Sequence, residues 1–265
     1  MKTIFKGTIS EEVKILQELL GIHADGVFGP KTKKAVQMFQ DAAGLETDGI
    51  VGPATWSILI GEVDCPYNSE QIRKVYQEKG YKYEEDHLKL NITGIRNSKT
   101  EGRVTNHYDD WIIVSYNNAG VQRFHCWPAT TDPGLHWISH PLNSDGCAIL
   151  VPGQYRSYKI DKHRGKYEAL CQRAGKVKVY RDGNLDDVYD HDADKVHSGY
   201  YGINIHRASR SRVVEDVDRY SAGCTVIQDP DDFDLFIECC KMQVEYNGWN
   251  TFTYTLLLGD EGDFE

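Results

Sequence analysis

The chain has 265 residues, of which 40% are hydrophobic and 26% charged, a composition typical of a globular protein with one large or two smaller domains. Its formal net charge of −10 argues against nucleic acid or an anionic membrane surface as a partner. A run of about 18 apolar residues does not occur and the first residues do not form a signal peptide, so we expect residence in the cytoplasm without membrane insertion.

The N-terminal part contains an internal repeat with the pattern D-G-x-x-G-P-x-T. One copy occupies residues 25–32 and the other residues 48–55, an offset of 23. In each copy Asp-Gly predicts a turn, and Gly-Pro predicts the start of a helix with proline at its first position. The repeat therefore predicts two turn-helix units.

A further helix is predicted ahead of the first copy. Ser10 is placed to cap it, and four apolar residues recur at helical spacing along one face: Val13, Leu16, Leu19 and Leu20. Val36 and Phe39 continue the apolar pattern in the next helix. Residues 1–62 are thus predicted to form a small three-helix bundle.

Residues 10–61 resemble the peptidoglycan-binding domain family, whose modules carry this repeated pattern between helices. The resemblance implies a shallow groove for bacterial peptidoglycan, formed by the helices and their turns. The residues that it places near the ligand, or in support of it, are Asp25, Gly26, Phe28, Asp48, Gly49 and Trp56. The sequence leaves open which of these touch the wall and which only shape the turns.

A polar break at residues 61–66 marks the end of this module. After it, Ser69 is placed to cap a helix that Gly80 ends, and residues 63–87 are predicted to form a linker with a bridging helix. From about residue 88 the pattern changes to strands. The expected strands are residues 111–116, 121–126, 177–180, 202–206, 224–227 and 251–256, with a turn at 117–120.

One helix interrupts the strands, with Asp229 as its cap and Pro230 at its first position. Short strands at this density predict a mainly antiparallel β sandwich or barrel over residues 88–265. The expected fold class is therefore α+β and multidomain, with the three-helix module followed by a strand-rich domain that carries a few helices.

His206 and Cys224 are the candidate catalytic pair. A cysteine attacks as thiolate, so it needs a nearby base, and His206 lies 18 residues before it. Ala222 and Gly223, just before the cysteine, allow a tight turn that points N–H groups at a developing oxyanion. The alternative is that both residues are inert members of a buried core.

The order of these motifs is similar to the L,D-transpeptidase (YkuD-like) catalytic domain, over about residues 105–258. That family carries a catalytic histidine, a gap and a Ser/Thr-His-Gly-Cys motif, which here correspond to His206 and residues 221–224. The resemblance implies a cysteine nucleophile with a histidine base. Ala222 stands where the family has histidine, and Val226 where it commonly has Asn or Arg, so the substrate position and the choice between transfer and hydrolysis stay open.

Other residues are assigned supporting roles. Asn204 or a backbone carbonyl is a candidate to orient His206, Ser221 to support the turn, and backbone N–H groups of Gly223 and Cys224 to hold an oxyanion. Arg207 is a candidate substrate contact and Tyr201 a candidate wall of the cleft. His163 is a weaker candidate, for which we favour a surface loop.

The seven cysteines are odd in number and scattered, with no C-x-x-C pair: Cys65, Cys126, Cys147, Cys171, Cys224, Cys239 and Cys240. This pattern favours reduced thiols over a disulfide framework or a zinc site. A His-Glu-x-x-His motif and a Gly-rich phosphate loop are also missing from the sequence. We therefore expect no metal and no cofactor.

A wall-binding module joined to a cysteine acyl-transfer domain predicts a bacteriophage endolysin. We expect a monomer that stays in the host cytoplasm without a signal peptide and, after release, cleaves an amide bond in the peptide stem or cross-link of peptidoglycan. Two alternatives remain at this level: an L,D-transpeptidase that forms cross-links, and a non-catalytic cell-wall-binding virion protein. The bond that is cut and the host wall are left open.

Overall fold

The computed structural model describes residues 2–43, 45–60, 65–97, 99–100, 102–118, 120–186, 188–259 and 263–264. The chain divides into two compact units, Met1–Asp64 and Cys65–Glu265. Residues 61–64, where the sequence places the break between domains, lie outside the described residues. Among the described residues, no helix combines the length and the apolar character that a membrane crossing requires.

The described part of the first unit contains three helices: α1 (Glu11–Leu19), α2 (Pro30–Ala43) and α3 (Pro53–Ile60). The predicted helix starts are confirmed, since Ser10 caps α1 by accepting a hydrogen bond from Val13 N, and α2 and α3 both begin at proline. Leu19 is 44% exposed, contrary to the prediction. Gln17 is buried beside Val13 and Leu16, so the buried face of α1 is rotated away from Leu19.

A buried glutamine explains the repeat. Gln17 Nε2 donates to Asp25 Oδ1 at 2.8 Å and to Thr32 Oγ1 at 3.0 Å, and Gln17 Oε1 accepts from Gly26 N at 2.8 Å. The second copy repeats every one of these bonds with Gln40, Asp48, Thr55 and Gly49. Each Asp-Gly turn is thus closed by an amide eight residues before its aspartate.

In the second unit the described residues form eleven strands: β1 (Asn91–Arg96), β2 (Asp110–Asn118), β3 (Val121–Thr130), β4 (Cys147–Leu150), β5 (Gly153–His163), β6 (Tyr167–Gln172), β7 (Val177–Asp182), β8 (His197–Gly199), β9 (Ile205–Arg207), β10 (Thr225–Ile227) and β11 (Phe252–Leu258). Eight of them form a closed barrel in the order β1-β11-β5-β6-β9-β10-β3-β2. Neighbours pair antiparallel except β1 with β11 and β9 with β10, which are parallel. The remaining strands form a separate sheet in the order β4-β7-β8.

Where the structure describes this unit, it also contains three α-helices, α4 (Ser69–Glu78), α5 (Leu135–Ser139) and α6 (Pro230–Asn247), and a short 3-10 helix at Ala193–Lys195. The predicted start of α6 is confirmed, because Asp229 accepts from Asp231 N and Pro230 is the first residue. The helix ends at Gly248, whose φ of 68° is left-handed. Phe236 of α6 packs edge-on against Trp127 of β3.

A tyrosine spans the barrel interior. The Tyr254 hydroxyl on β11 lies 2.9 Å from Thr225 Oγ1 on β10, and these strands are not neighbours in the barrel. Gly94 on β1 makes room for it, because a Cβ there would overlap the tyrosine hydroxyl. The ring therefore ties the strand that follows Cys224 to the far side of the barrel.

The predicted bridging helix packs on the barrel. Ile72, Val75 and Tyr76 of α4 are buried in a cluster with residues of β1, β2 and β11, and the Tyr76 hydroxyl lies 2.8 Å from Thr93 Oγ1. Residues 65–87 thus belong to the barrel unit, where the sequence suggested a linker. The cap is Asn68, one residue before the predicted Ser69, and it forms a capping box with Gln71.

The prediction of reduced cysteines is wrong at one pair. Cys65 and Cys126 form a disulfide with their Cα atoms 6.1 Å apart. The two residues are 61 positions apart in the chain, so only the docking of the segment that carries Cys65 onto β3 brings them together. The described free cysteines are Cys147, Cys171, Cys224, Cys239 and Cys240.

We expect Cys65→Ser to lower the free energy of unfolding of the barrel unit by about 4 kcal/mol, because the bridge restricts a long loop of the unfolded chain. Urea unfolding of the full chain, followed by tryptophan fluorescence, measures this. Dithiothreitol should have the same effect on the wild type and no further effect on the variant. An unchanged wild-type midpoint under reductant would contradict the expectation.

Candidate active site

The barrel brings His206 and Cys224 to neighbouring strands. In the parallel pair β9 and β10, His206 lies opposite Val226, and Thr225 N donates to Asn204 O at 3.0 Å. Asn204 directly precedes β9 and Cys224 directly precedes β10. The pairing thus brings the Cys224 thiol to Asn204 N, two residues before His206 in the chain.

The Cys224 thiol is held by backbone groups. Its Sγ accepts from Asn204 N at 3.4 Å and donates to Gly202 O at 3.5 Å. Burial raises the pKa of the thiol, and the Asn204 N–H, which favours the thiolate, offsets only part of this effect. The resting cysteine is thus a neutral thiol whose proton points at a carbonyl oxygen and is not bonded to His206.

The His206 ring is buried and oriented by a carbonyl. Its Nδ1 lies 2.8 Å from Arg207 O, and the Tyr167 hydroxyl lies 3.5 Å from the same nitrogen. The carbonyl accepts, so Nδ1 carries the proton and Nε2 is the basic nitrogen. Burial, followed by the neighbouring His163, lowers the pKa of His206 to about 3. His206 is therefore a neutral imidazole at physiological pH.

His163 lies in the site, which corrects its prediction as a surface-loop residue. It ends β5, is 6% exposed, and stacks on His206 with ring centroids 4.2 Å apart and 28° between the planes. In the sequence, Gly165 is the feature that predicts a turn, and thus a hairpin, between the segments that form β5 and β6. Nothing local in the sequence indicated that the hairpin end would cover His206.

Asn204 supports the site differently from the prediction. Its side chain does not bond to His206; Oδ1 accepts from Gln172 N at 2.9 Å, and Nδ2 lies 3.1 Å from His163 Nδ1. Gln172, which the sequence did not single out, accepts with Oε1 from three consecutive N–H groups, those of residues 201–203. The N–H groups of residues 201–203 thus bond to a side chain and not to a neighbouring strand. For this reason β9 begins at Ile205 and not at Gly202 as predicted.

The turn before Cys224 is closed by Ser221. The Ser221 hydroxyl donates to Cys224 O at 2.7 Å and accepts from Gly223 N at 3.2 Å. Gly223 has φ +112°, and a Cβ there would overlap the Ala148 carbonyl oxygen on β4. The predicted oxyanion donor Gly223 N is thus occupied within the turn, and glycine is required for conformation and for space.

The two predicted substrate contacts are engaged with protein groups. The Arg207 guanidinium lies over the Tyr167 ring at 4.2 Å and 3.5 Å from Asp234 Oδ1 on α6. Tyr201 is partly buried, donates its N–H to Gln172 and has the Arg181 guanidinium 5.0 Å from its ring centroid. Both residues are held in place around the segment that carries Gly202 and His206.

In the first unit, the residues expected near a ligand mostly shape the turns. Phe28 and Trp56 are 1% and 3% exposed, and Trp56 Nε1 donates to Lys2 O. Asp25 Oδ1 and Asp48 Oδ1 accept from the glutamines and from the N–H two residues on. Gly26 and Gly49 have φ of +74° and +71°. Of these side chains, the two aromatic ones are buried, whereas the two aspartates are exposed while their Oδ1 atoms close the turns.

In the described part of the chain, no group of three or more His, Cys, Asp or Glu side chains is arranged to hold a metal ion. The histidines at the site instead use ring nitrogens on Arg207 O and on the Asn204 amide.

Comparison with known proteins identifies the first unit. Residues 10–59 match the family model described as "Putative peptidoglycan binding domain". The chain thus carries a peptidoglycan-binding domain at its N-terminus, as predicted. No curated protein matches the chain in sequence.

Among solved structures, a fused zinc-dependent amidase/peptidase/peptidoglycan-binding domain-containing protein from Clostridium acetobutylicum ATCC 824 is similar at 16% identity, covering 96% of this chain and 99% of that one. The TM-score is 0.26, so this similarity carries no argument for fold or activity.

We expect Gly223→Ala to destabilise the barrel unit by about 2–4 kcal/mol, because alanine is strained at this φ and its Cβ overlaps Ala148 O. Gly248→Ala is the matched control: its φ is also positive, but nothing lies within 4 Å of an added Cβ, so a cost of about 1 kcal/mol is expected. Urea unfolding of both variants measures the difference. Equal costs would show that the turn has room.

We expect Cys224 to react slowly with iodoacetamide at pH 7 and progressively faster above the range in which an ordinary cysteine ionises. The reason is the sign of its pKa shift: a raised pKa keeps the thiol protonated over a wider pH range. Mass spectrometry of the alkylated chain, with Cys224→Ala for subtraction, gives the rate. Fast, pH-independent alkylation between pH 5 and 8 would instead indicate a preformed thiolate-imidazolium pair.

Proposed function

We propose that the chain is a peptidoglycan hydrolase of the endolysin kind, in which Cys224 cleaves an amide bond of the peptide stem or cross-link. The observation that carries the proposal is that His206 lies on β9 while Cys224 directly precedes β10, its parallel partner, with the Cys224 thiol 3.4 Å from Asn204 N. A peptidoglycan-binding domain at residues 10–59 supplies the substrate class. The YkuD-like motif order supports the same chemistry.

In the first half of the reaction, His206 Nε2 takes the proton from Cys224 Sγ as the sulfur attacks the carbonyl carbon. The Cys224 N–H donates to the oxyanion, a contact worth about 3 kcal/mol in comparable sites. His206 then returns the proton to the leaving amine, the C–N bond breaks, and a thioester remains. Water, deprotonated by His206, hydrolyses the thioester to a carboxylic acid and regenerates the thiol.

Two features of the resting site bear on this reaction. The thiol proton points at Gly202 O, so the S–H must turn away from this carbonyl before its proton can pass to His206. Both partners are neutral at rest, because burial raises the pKa of Cys224 and lowers that of His206. Proton transfer therefore accompanies attack on the carbonyl and does not precede it.

The fate of the thioester separates a hydrolase from a transpeptidase. Val226, which replaces a polar residue of the related motif, is fully buried and offers no contact to a substrate. Hydrolysis by water needs no binding site for an acceptor amine, so this loss is compatible with an endolysin. The Cys65–Cys126 disulfide also suits a protein that acts outside the cytoplasm, where such bonds persist.

We expect wild-type protein to release new peptide termini from purified peptidoglycan, and Cys224→Ala to lower the rate at least a thousandfold because the nucleophile is lost. Cys239→Ala, which removes a buried thiol in α6, is the matched control and should retain activity. Mass spectrometry of the muropeptides identifies the bond that is cut.

The products also decide between the alternatives. New cross-links would indicate a transpeptidase, whereas equal digestion by Cys224→Ala and wild type would exclude Cys224 as nucleophile. A wild type that binds peptidoglycan and leaves every muropeptide unchanged would indicate a non-catalytic wall-binding protein. Loss of activity with a chelator would point to metal chemistry and contradict the proposal.

A further inference from the structure

The hydrogen bonds of Asn204 determine the protonation state of His163. A backbone N–H can only donate, so the Asn204 atom that faces Gln172 N at 2.9 Å is the amide oxygen. The other amide atom, 3.1 Å from His163 Nδ1, is therefore the NH₂ group, which donates. His163 Nδ1 must accept this bond, so it carries a lone pair and the ring proton sits on Nε2.

The neutral state of His163 matters because its ring lies against the candidate base. The two imidazoles stack with centroids 4.2 Å apart. A proton on His163 Nδ1 would oppose the Asn204 NH₂ group and would place a positive charge beside His206. That charge would oppose the arrival of the Cys224 proton on His206, because like charges at this distance repel strongly in a buried site.

We propose that Asn204 and His163 are positioning residues: Asn204 holds His163 as a neutral ring, and this ring fixes the plane of His206 and leaves it as the one imidazole that takes the Cys224 proton. The catalytic role of these two residues rests on the proposed function. The assignment of the hydrogen bond between Asn204 and His163 does not depend on that function.

The surroundings of the two rings favour the same state. Burial lowers the pKa of His163 to about 4, and Arg164 and Arg173 act in the same direction. The elements that carry or adjoin the two rings bear these further charged and titratable groups: Asp161 on β5, Arg164 in the hairpin turn, Tyr167, Glu168 and Cys171 on β6, Arg173 after β6, Arg207 on β9, Asp234 and Lys241 on α6, and Cys224. The three carboxylates among them are each paired with a cation: Asp161 with Arg173, Asp234 with Arg207, and Glu168 with Lys241.

Asn204→Asp tests the arrangement with little change in shape. One carboxylate oxygen still accepts from Gln172 N, and the other can now accept from His163 Nδ1, so the protonated form of His163 is favoured. We expect the acidic limb of the kcat/KM profile for peptidoglycan cleavage to move to higher pH by about one unit or more. Activity should recover above that limb, which a merely damaged structure would not show.

The double variant Asn204→Asp/His163→Gln is the matched control. Glutamine cannot take up a proton, so we expect the acidic limb to return to its wild-type position. An equal shift with and without His163 would show that the carboxylate acts on His206 directly and would overturn the inference. An unshifted profile in Asn204→Asp alone would do the same.

Nitrogen-15 NMR of the imidazoles in the full chain gives a readout that does not depend on activity. At pH 7 the wild type should show His163 with Nδ1 unprotonated and Nε2 protonated. As the pH is lowered, His163 in Asn204→Asp should become protonated at both nitrogens about one unit or more above the pH at which it does in the wild type. His163→Gln assigns the signals. A protonated Nδ1 in the wild type would overturn the inference even if Cys224 proves catalytic, whereas an inactive wild type with this tautomer would reject only the proposed function.

Discussion

A single buried carbonyl oxygen organises the segment that leads to the site. Gln172 Oε1 accepts from the N–H groups of Tyr201, Gly202 and Ile203 at 3.0, 2.9 and 3.3 Å. Buried N–H groups without partners are costly, so loss of this side chain would leave three donors to be satisfied elsewhere. The backbone N–H of the same residue bonds Asn204. One residue on β6 therefore fixes the chain as it enters β9 and the amide that contacts His163.

The catalytic proposal depends on this framework more than on any direct bond between Cys224 and His206. The parallel pairing of β9 and β10 brings the residue before β10, Cys224, beside the residue before β9, Asn204, and the Ser221 bonds and the left-handed Gly223 shape the turn that carries the thiol. Dense packing keeps the thiol, the base and the stacked His163 neutral. In such a site the oxyanion and the imidazolium form only when the thiol attacks the substrate. Groups that stabilise these charges therefore stabilise the transition state more than the resting enzyme.

The N-terminal unit uses the same physical device in a different setting. In both copies of its repeat, a buried glutamine side chain closes an Asp-Gly turn by bonding the aspartate, a threonine and the glycine N–H. The aspartate, the first glycine and the threonine of the D-G-x-x-G-P-x-T pattern therefore serve the turn. Phe28 and Trp56 are buried and have no surface to offer a glycan.

The sequence alone determined the features that are local: the repeat and its family, the helix starts at Ser10, Pro30, Pro53 and Asp229, and the small residues that precede Cys224. Each depends on a turn or cap within a few residues of itself. Tertiary structure alone decided that Cys65 meets Cys126, that α4 packs on the barrel, that Asn204 turns to His163, and that His163 covers His206. These contacts join residues that are at least 17 positions apart, and 61 positions apart for the disulfide. Over such separations, closure of the barrel decides which side chains meet, and a local sequence pattern does not.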